Sequence, residues 1–201
     1  MREFVYYSVN GVTTGNLIGE DLMKAGRIDI ACQFIIQSLF VSRAMRDDTK
    51  VHLILMGPPD SPKHLEIFPG KNLDGVEGKI DISKKDVAGL IRRMLYKYRK
   101  GERVEIGEGY SVEKKGFVKL MEEFVDEGKE IYILDKRGED IRDVKFGENV
   151  VFVVGDHDGI PKNEMKWAKH IPFRKISVGP KMLFASQVAV IVNNECDRRS
   201  H

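Results

Sequence analysis

Short, nearly continuous apolar runs punctuate this chain, and between them apolar residues recur every three or four positions. Phe4-Val5-Tyr6-Tyr7-Ser8-Val9 reads as a first strand. Ile28, Ala31, Cys32, Ile35, Ile36, Leu39 and Phe40 fall at helical spacing and predict one long helix over 28–45. Val51 to Met56 is almost wholly apolar, as befits a strand covered on both faces in a parallel sheet. Residues 63–82 read as a polar hairpin region. Ser83, with Asp86 three residues on, has the form of a helix N-cap. Val87, Leu90, Ile91, Met94, Leu95 and Tyr98 form the apolar stripe behind it. A further helix follows Ser111, with Phe117, Leu120, Met121 and Phe124 inward and Gly128 as its stop.

The last third changes character. Three apolar runs, Ile131 to Leu134, Val150 to Val154 and Phe173 to Val178, each end in a loop rich in Gly, Asp or Pro. These loops are Asp135-Lys136-Arg137-Gly138, Gly155-Asp156-His157-Asp158-Gly159 and Gly179-Pro180-Lys181. Pro161 opens a short helix running to about Lys169, and a final helix covers roughly 183–196. The β-α-β-α alternation predicts an α/β fold, with a mostly parallel sheet flanked by helices. No repeat or linker divides the chain, so residues 1–201 read as a single domain. Open α/β sheets bind ligands at the carboxyl ends of their strands. All three loops fall there, and Gly155 and Gly179 let the backbone approach a ligand closely. Ordinary βα turns favour the same residues, so the pattern alone leaves both readings open.

Composition narrows the class. Hydrophobic residues make up 42% of the 201 and charged residues 32%. That supports a sizeable core and excludes disordered and collagen-like chains. No apolar run approaches the roughly 20 residues of a membrane span, and Met1-Arg2-Glu3-Phe4 lacks a signal layout. Cys32 and Cys196 are too few for a disulfide framework or a cysteine zinc site. The expectation is a soluble, cytoplasmic protein with no membrane partner and no metal. Asp156-His157-Asp158 does not alter it, because three neighbours in one turn do not easily converge on an ion. The missing G-x-G-x-x-G and G-x-x-x-x-G-K-[ST] patterns argue against dinucleotide binding and P-loop hydrolysis. No G-x-S-x-G elbow supports covalent hydrolysis.

The net charge of +2, from 33 basic and 31 acidic residues, neither demands nor excludes a polyanion partner. Basic residues do cluster, at Arg43 and Arg46, at Arg92-Arg93 and across Lys97 to Lys100. Cations are favoured near helix carboxyl ends in any case. The clusters still leave room for an RNA-binding face.

Several segments resemble the SPOUT superfamily of RNA methyltransferases. They are Val150 to Gly159, Ile176-Ser177-Val178-Gly179 and Leu183-Phe184-Ala185-Ser186-Gln187. Gly26-Arg27-Ile28-Asp29 and Gly57-Pro58-Pro59 extend the likeness to the archaeal tRNA pseudouridine N1-methyltransferase family, which modifies pseudouridine 54 of the T-loop. The resemblance implies a trefoil knot over about 130–201, a homodimer, a tRNA partner and S-adenosylmethionine as cofactor. It implies cofactor contacts at Leu134, Gly155, Ser177, Val178, Gly179, Pro180, Lys181, Met182 and Leu183. Val188, beginning the last helix, joins them. Relatives often carry Cys there, so a backbone contact carries over and a thiol role does not.

A sulfonium methyl is already electrophilic, so positioning carries most of the rate. The N1–H of pseudouridine must be lost, to a carboxylate or to a water that one orients. Asp156 is one candidate. Asp29 with Arg27 is another, if a second subunit brings that helix across the knot. The plainer role for Arg27 and Asp29 is a helix-start cap and ion pair. Rival readings are ribosomal pseudouridine N1-methylation, ribose 2′-O-methylation, a non-catalytic RNA-binding module and a small-molecule enzyme. The ribose reaction usually employs an Arg in the first motif, and none stands between Phe4 and Arg27.

Overall fold

The computed structural model describes residues 1–42, 44–70 and 83–199. Its strands are β1 (Arg2–Ser8), β2 (Phe40–Val41), β3 (Ala44–Met45), β4 (Thr49–Leu55), β5 (Lys63–Ile67), β6 (Val104–Gly107), β7 (Tyr110–Glu113), β8 (Glu130–Asp140), β9 (Val150–Gly155) and β10 (Arg174–Ser177). Its helices are α1 (Ile28–Leu39), α2 (Lys84–Lys97), α3 (Phe117–Asp126), α4 (Lys162–Trp167) and α5 (Ala185–Arg199). The main sheet runs β10-β8-β9-β1-β4-β5-β7-β6. Its first five strands are parallel. The last three add on antiparallel. The parallel expectation therefore holds for the half that carries the three loops, and the sheet as a whole is mixed.

β1 sits at the centre and is buried on both faces, which is why it reads as an unbroken apolar run. Phe4 and Tyr6 face the α1 layer, where the Tyr6 and Phe34 rings lie 5.0 Å apart. Val5 and Tyr7 face the α3 layer, where Tyr7 meets Phe117 edge-on at 5.7 Å. Ser83 caps α2 as expected, its hydroxyl accepting from the Asp86 N–H at 3.1 Å.

Several boundaries differ from the sequence reading. α1 ends at Leu39 rather than 45, and a small β2–β3 hairpin follows. The Arg46 N–H donates to the Leu39 carbonyl at 2.7 Å. That bond closes a tight reversal which delivers the chain to Thr49, opposite Arg2. Lys63–Ile67 does not fold back on its own continuation. It pairs with β4 and β7, and residues 71–82 lie outside the described residues. Tyr110–Glu113 is a strand, so the helix expected after Ser111 starts only at Phe117.

β8 runs on to Asp140 through the expected loop at 135–138. Its pairing with β10 jumps from Ile133↔Lys175 to Glu139↔Ile176. Residues 134–138 therefore bulge out of register between the two paired stretches. α4 closes at Trp167, and one 3-10 turn, Ala168–His170, completes it. The final helix starts at Ala185 and extends to Arg199. No helix among the described residues is long and apolar enough to cross a membrane.

Candidate active site

The carboxyl ends of β8, β9 and β10 open onto one cavity of about 710 Å³. Small-molecule sites typically span roughly 300–1,000 Å³. The β8 bulge, the turn after β9, the segment after β10 and the start of α5 all line it, as do Arg27, just before α1, and Ile30 within it. Nine of the ten expected cofactor positions are in this lining: Leu134, Gly155, Ser177, Val178, Gly179, Lys181, Met182, Leu183 and Val188. Pro180 is not. Val188 lies in the first turn of α5 rather than at its first residue. Arg27 and Asp156 also line the cavity, while Asp29 does not.

Gly155 has a further reason, within the chain itself. A Cβ there would stand 2.6 Å from the Gly159 carbonyl carbon and 2.8 Å from the Ile160 nitrogen. The missing side chain lets the turn close on itself. Asp156 then fastens that turn to β1. Its N–H donates to the Tyr7 carbonyl at 2.9 Å. Its carboxylate accepts from the Val9 N–H at 2.8 Å and the Asp158 N–H at 2.9 Å. Both oxygens are thus engaged once, and each keeps a lone pair.

Arg27 occupies the left-handed region, at φ 66° and ψ 36°, as the residue before α1. It is the one non-glycine residue with positive φ among those described, and such strain persists only where the surroundings enforce it. They do so through Gly26, at φ 69°, where a Cβ would fall 1.7 Å from the Asn10 carbonyl oxygen. Arg27 makes no side-chain cap bond. Its Nε and Nη2 instead donate to the two oxygens of Asp29, at 3.0 and 3.1 Å. That fork holds the Asp29 carboxyl below its ordinary range. Nη1 has no partner among the described residues.

Tyr6 of β1 does not line the cavity, but its hydroxyl lies near enough to Asp156 and Asp29 to feel their charges. Its hydroxyl is buried without a hydrogen-bond partner. Burial pushes its pKa up, and the charges of Asp156 and Asp29 push it further. Nothing in the sequence separates it from other strand tyrosines.

Other candidates resolve differently. The ligand atoms of Asp156, His157 and Asp158 do come within 4.8 Å of one another, closer than their adjacency suggested. The Asp156 oxygens, however, serve backbone N–H groups, and Asp158 accepts from Asn10 at 3.3 Å. Arg46 is not available to a partner. It forks onto Asp197 at 2.8 and 2.7 Å, with its side chain only 16% exposed. Arg43 lies outside the described residues. Arg92 and Arg93 are exposed. Burial pushes the Cys32 thiol up to about 12, leaving it inert.

A cavity built from three carboxyl-end loops in the last third of a largely parallel sheet defines an α/β protein of cofactor-binding class. The same fold occurs in Archaeoglobus fulgidus Nep1, solved bound to S-adenosylhomocysteine. The TM-score is 0.64 at 14% identity, over 100% of this chain and 99% of that one. The chain belongs to the family described as "Putative SAM-dependent RNA methyltransferase", which matches residues 1–201. It is 33% identical over 98% of its length to a Methanococcoides burtonii protein named tRNA (pseudouridine(54)-N(1))-methyltransferase, of which 96% is covered. It is 31% identical over 99% of both chains to a Vibrio parahaemolyticus protein named "Putative pseudouridine methyltransferase".

The cavity suits the cofactor of this family. Leu134, Val154, Val178, Leu183 and Val188 supply apolar wall for an adenine. Lys136, Arg137 and Lys181 supply cations for a carboxylate, and Asp135 and Asp156 supply acceptors.

Proposed function

We propose that this chain methylates N1 of pseudouridine in tRNA, at the T-loop position 54 named for its archaeal relative, with S-adenosylmethionine in the 710 Å³ cavity. One observation carries the reading. Arg27, held in a strained conformation just before α1, lines that cavity together with the three loops. The chain also matches a relative of that name end to end.

The cofactor supplies an electrophilic methyl on a sulfonium. The protein's task is to bring N1 into line with it and to take the N1 proton. Leu134, Gly155, Ser177, Val178, Gly179, Met182, Leu183 and Val188 would hold the cofactor, with Pro180 setting the course of the third loop, and Lys181 would pair with its carboxylate. Arg27 presents Nη1 to a carbonyl of the uracil ring, oriented by Asp29. Asp156 accepts the N1 proton through its remaining lone pairs, directly or through a water. Arg27 already stabilises the charge of Asp29, which holds that carboxyl below its ordinary range and suits it to orienting Arg27.

The trefoil threading and the homodimer belong to the same proposal. Arg199 of α5 donates to the carbonyls of Ile141 and Val144, and the Ile141 N–H donates to Ser177 at 2.9 Å. The segment after β8 thus lies across the last helix, which supports a threaded chain. Phe184, 74% exposed, and Met182 stand at the cavity, which supports a two-fold partner covering them. Incubation with methyl-labelled cofactor and tRNA, then digestion to nucleosides, tests the reading. Label in N1-methylpseudouridine supports it, whereas label in a 2′-O-methylribose replaces it with the ribose reaction.

A further inference from the structure

The exposed side of α2 carries a charge imbalance that the rest of the molecule does not share. Residues 84–100 hold seven basic side chains, Lys84, Lys85, Arg92, Arg93, Lys97, Arg99 and Lys100, against Asp86 alone. A chain of net +2 therefore has net +6 on this one segment and net −4 elsewhere. All seven are exposed. A helix face that is merely solvated interleaves acids and bases at three- and four-residue spacing. This one does not. Elsewhere some exposed cations pair with acids, such as Arg142 with Asp140 at 2.6 Å and Arg174 with Glu139 at 2.8 Å. Here only Arg99 makes an ion pair among the described residues, with Glu102 at 4.0 Å.

An aromatic ring sits within this charge. Tyr96 is 49% exposed. Its ring is fixed on one side by the turn at Gly15, where a Cβ would meet it at 2.9 Å. The Arg92 guanidinium lies 5.5 Å from the ring centroid, and Arg92 Nη2 donates to the Tyr96 hydroxyl at 3.4 Å. The helix also reaches the candidate site. Lys84, at its start, is close enough to Asp29 to help lower that carboxyl. Its 14 residues span about 21 Å, room for several phosphates.

We propose that the exposed face of α2 is an RNA-docking surface, on which Arg92, Arg93 and Lys97 take the sugar–phosphate backbone and Tyr96 stacks on an unpaired base. It rests on the reading that the substrate is RNA and assigns that substrate a path from the cavity along α2. Arg92, Arg93 and Lys97 have no ion-pair partner among the described residues, which leaves their charge for phosphate, and a ring held in place stacks with little ordering cost.

The test is RNA binding, read without any methyl transfer. A tRNA transcript, with and without pseudouridine, is titrated at several KCl concentrations. The proteins are wild type, the triple variant Arg92→Gln/Arg93→Gln/Lys97→Gln, Tyr96→Ala and Tyr96→Phe. The log–log salt slope of the triple variant should fall by about two to three, since each lost phosphate contact removes roughly 0.7–0.9. Tyr96→Ala should lose about tenfold in affinity and Tyr96→Phe almost none, as stacking requires. Cofactor affinity, measured by calorimetry, should match wild type in all three and so reports an intact fold. An unchanged slope in the triple variant overturns the proposal. So does tighter binding of wild type to phosphatidylserine vesicles than to RNA. If the slope falls but neither transcript is ever methylated, the docking surface stands and the proposed reaction fails.

Discussion

The Arg27 guanidinium grips both oxygens of Asp29, at 3.0 and 3.1 Å, from a backbone at φ 66°. The two facts belong together. The left-handed turn sets the direction of the Arg27 side chain, and the fork fixes its plane, leaving Nη1 free beside the cavity. An ordinary helix start needs neither feature. Asp29→Asn should loosen the guanidinium, and Arg27→Lys cannot form the fork at all. Each should lower methyl transfer by about 100-fold, the scale of a small misplacement of reacting groups. Calorimetric affinity for the cofactor should stay at the wild-type value.

Acid should destabilise the sheet through a buried chain of hydrogen bonds. Glu3 Oε2 lies 2.8 Å from His52 Nε2, His52 Nδ1 lies 2.8 Å from His64 Nε2, and His64 Nδ1 lies 3.0 Å from Glu113. Burial alone would raise both Glu pKa values. Bonds to the histidines and to Lys129 and Lys115 outweigh it and hold them at about 2. Burial pulls His64 down to about 4. For all three groups the unfolded chain binds protons at a higher pH than the folded one. Stability should therefore be full above about pH 6.5, the ordinary imidazole value. It should fall as the pH drops through His64 and then towards 2. Denaturant midpoints measured from pH 8 to pH 3 check this. Glu113→Gln should flatten the lower part of the curve.

Gly155→Val should do more than block a ligand. Its Cβ overlaps the backbone of Gly159 and Ile160, so the turn after β9 must reopen. A loss of about 1–3 kcal/mol is expected, as for other overpacked sites, together with loss of cofactor binding. Thermal unfolding beside calorimetry separates the two effects.

Arg46→Ala tests a cation that the sequence placed with the RNA contacts. Arg46 and Arg2 converge on Asp197, and Arg2 also holds Asp48 at 2.7 Å. Removing Arg46 should cost about 1–3 kcal/mol, the value of bonds to charged groups. RNA affinity and its salt slope should not change.

The buried strands and the three loops were legible because apolar runs and turn residues are local signals. The end of α1 was not. Phe40 continues the helical spacing, and the reversal depends on Arg46 returning to the Leu39 carbonyl. The β8 bulge was hidden for a similar reason, since only pairing with Ile176 shows that Glu139 rejoins the ladder. Gly155 was legible as a special position, but the atoms that demand glycine come from four and five residues away. The role of Arg46 rests on Asp197, 151 residues distant. Charge clustering cannot separate such a cation from one like Arg92, which has no ion-pair partner among the described residues.

Methyl transfer to two transcripts of identical sequence tests the central claim most directly. In one, the uridine at tRNA position 54 has been converted to pseudouridine. In the other it has not. Uridine and pseudouridine differ little in shape, so the two should bind with similar affinity, but uridine N1 is bonded to the ribose and has no proton to lose. Mass spectrometry of the digested RNA should find one added methyl, on the base, in the pseudouridine transcript alone. Efficient methylation of the unmodified transcript, or a methyl on the ribose, would contradict the assignment.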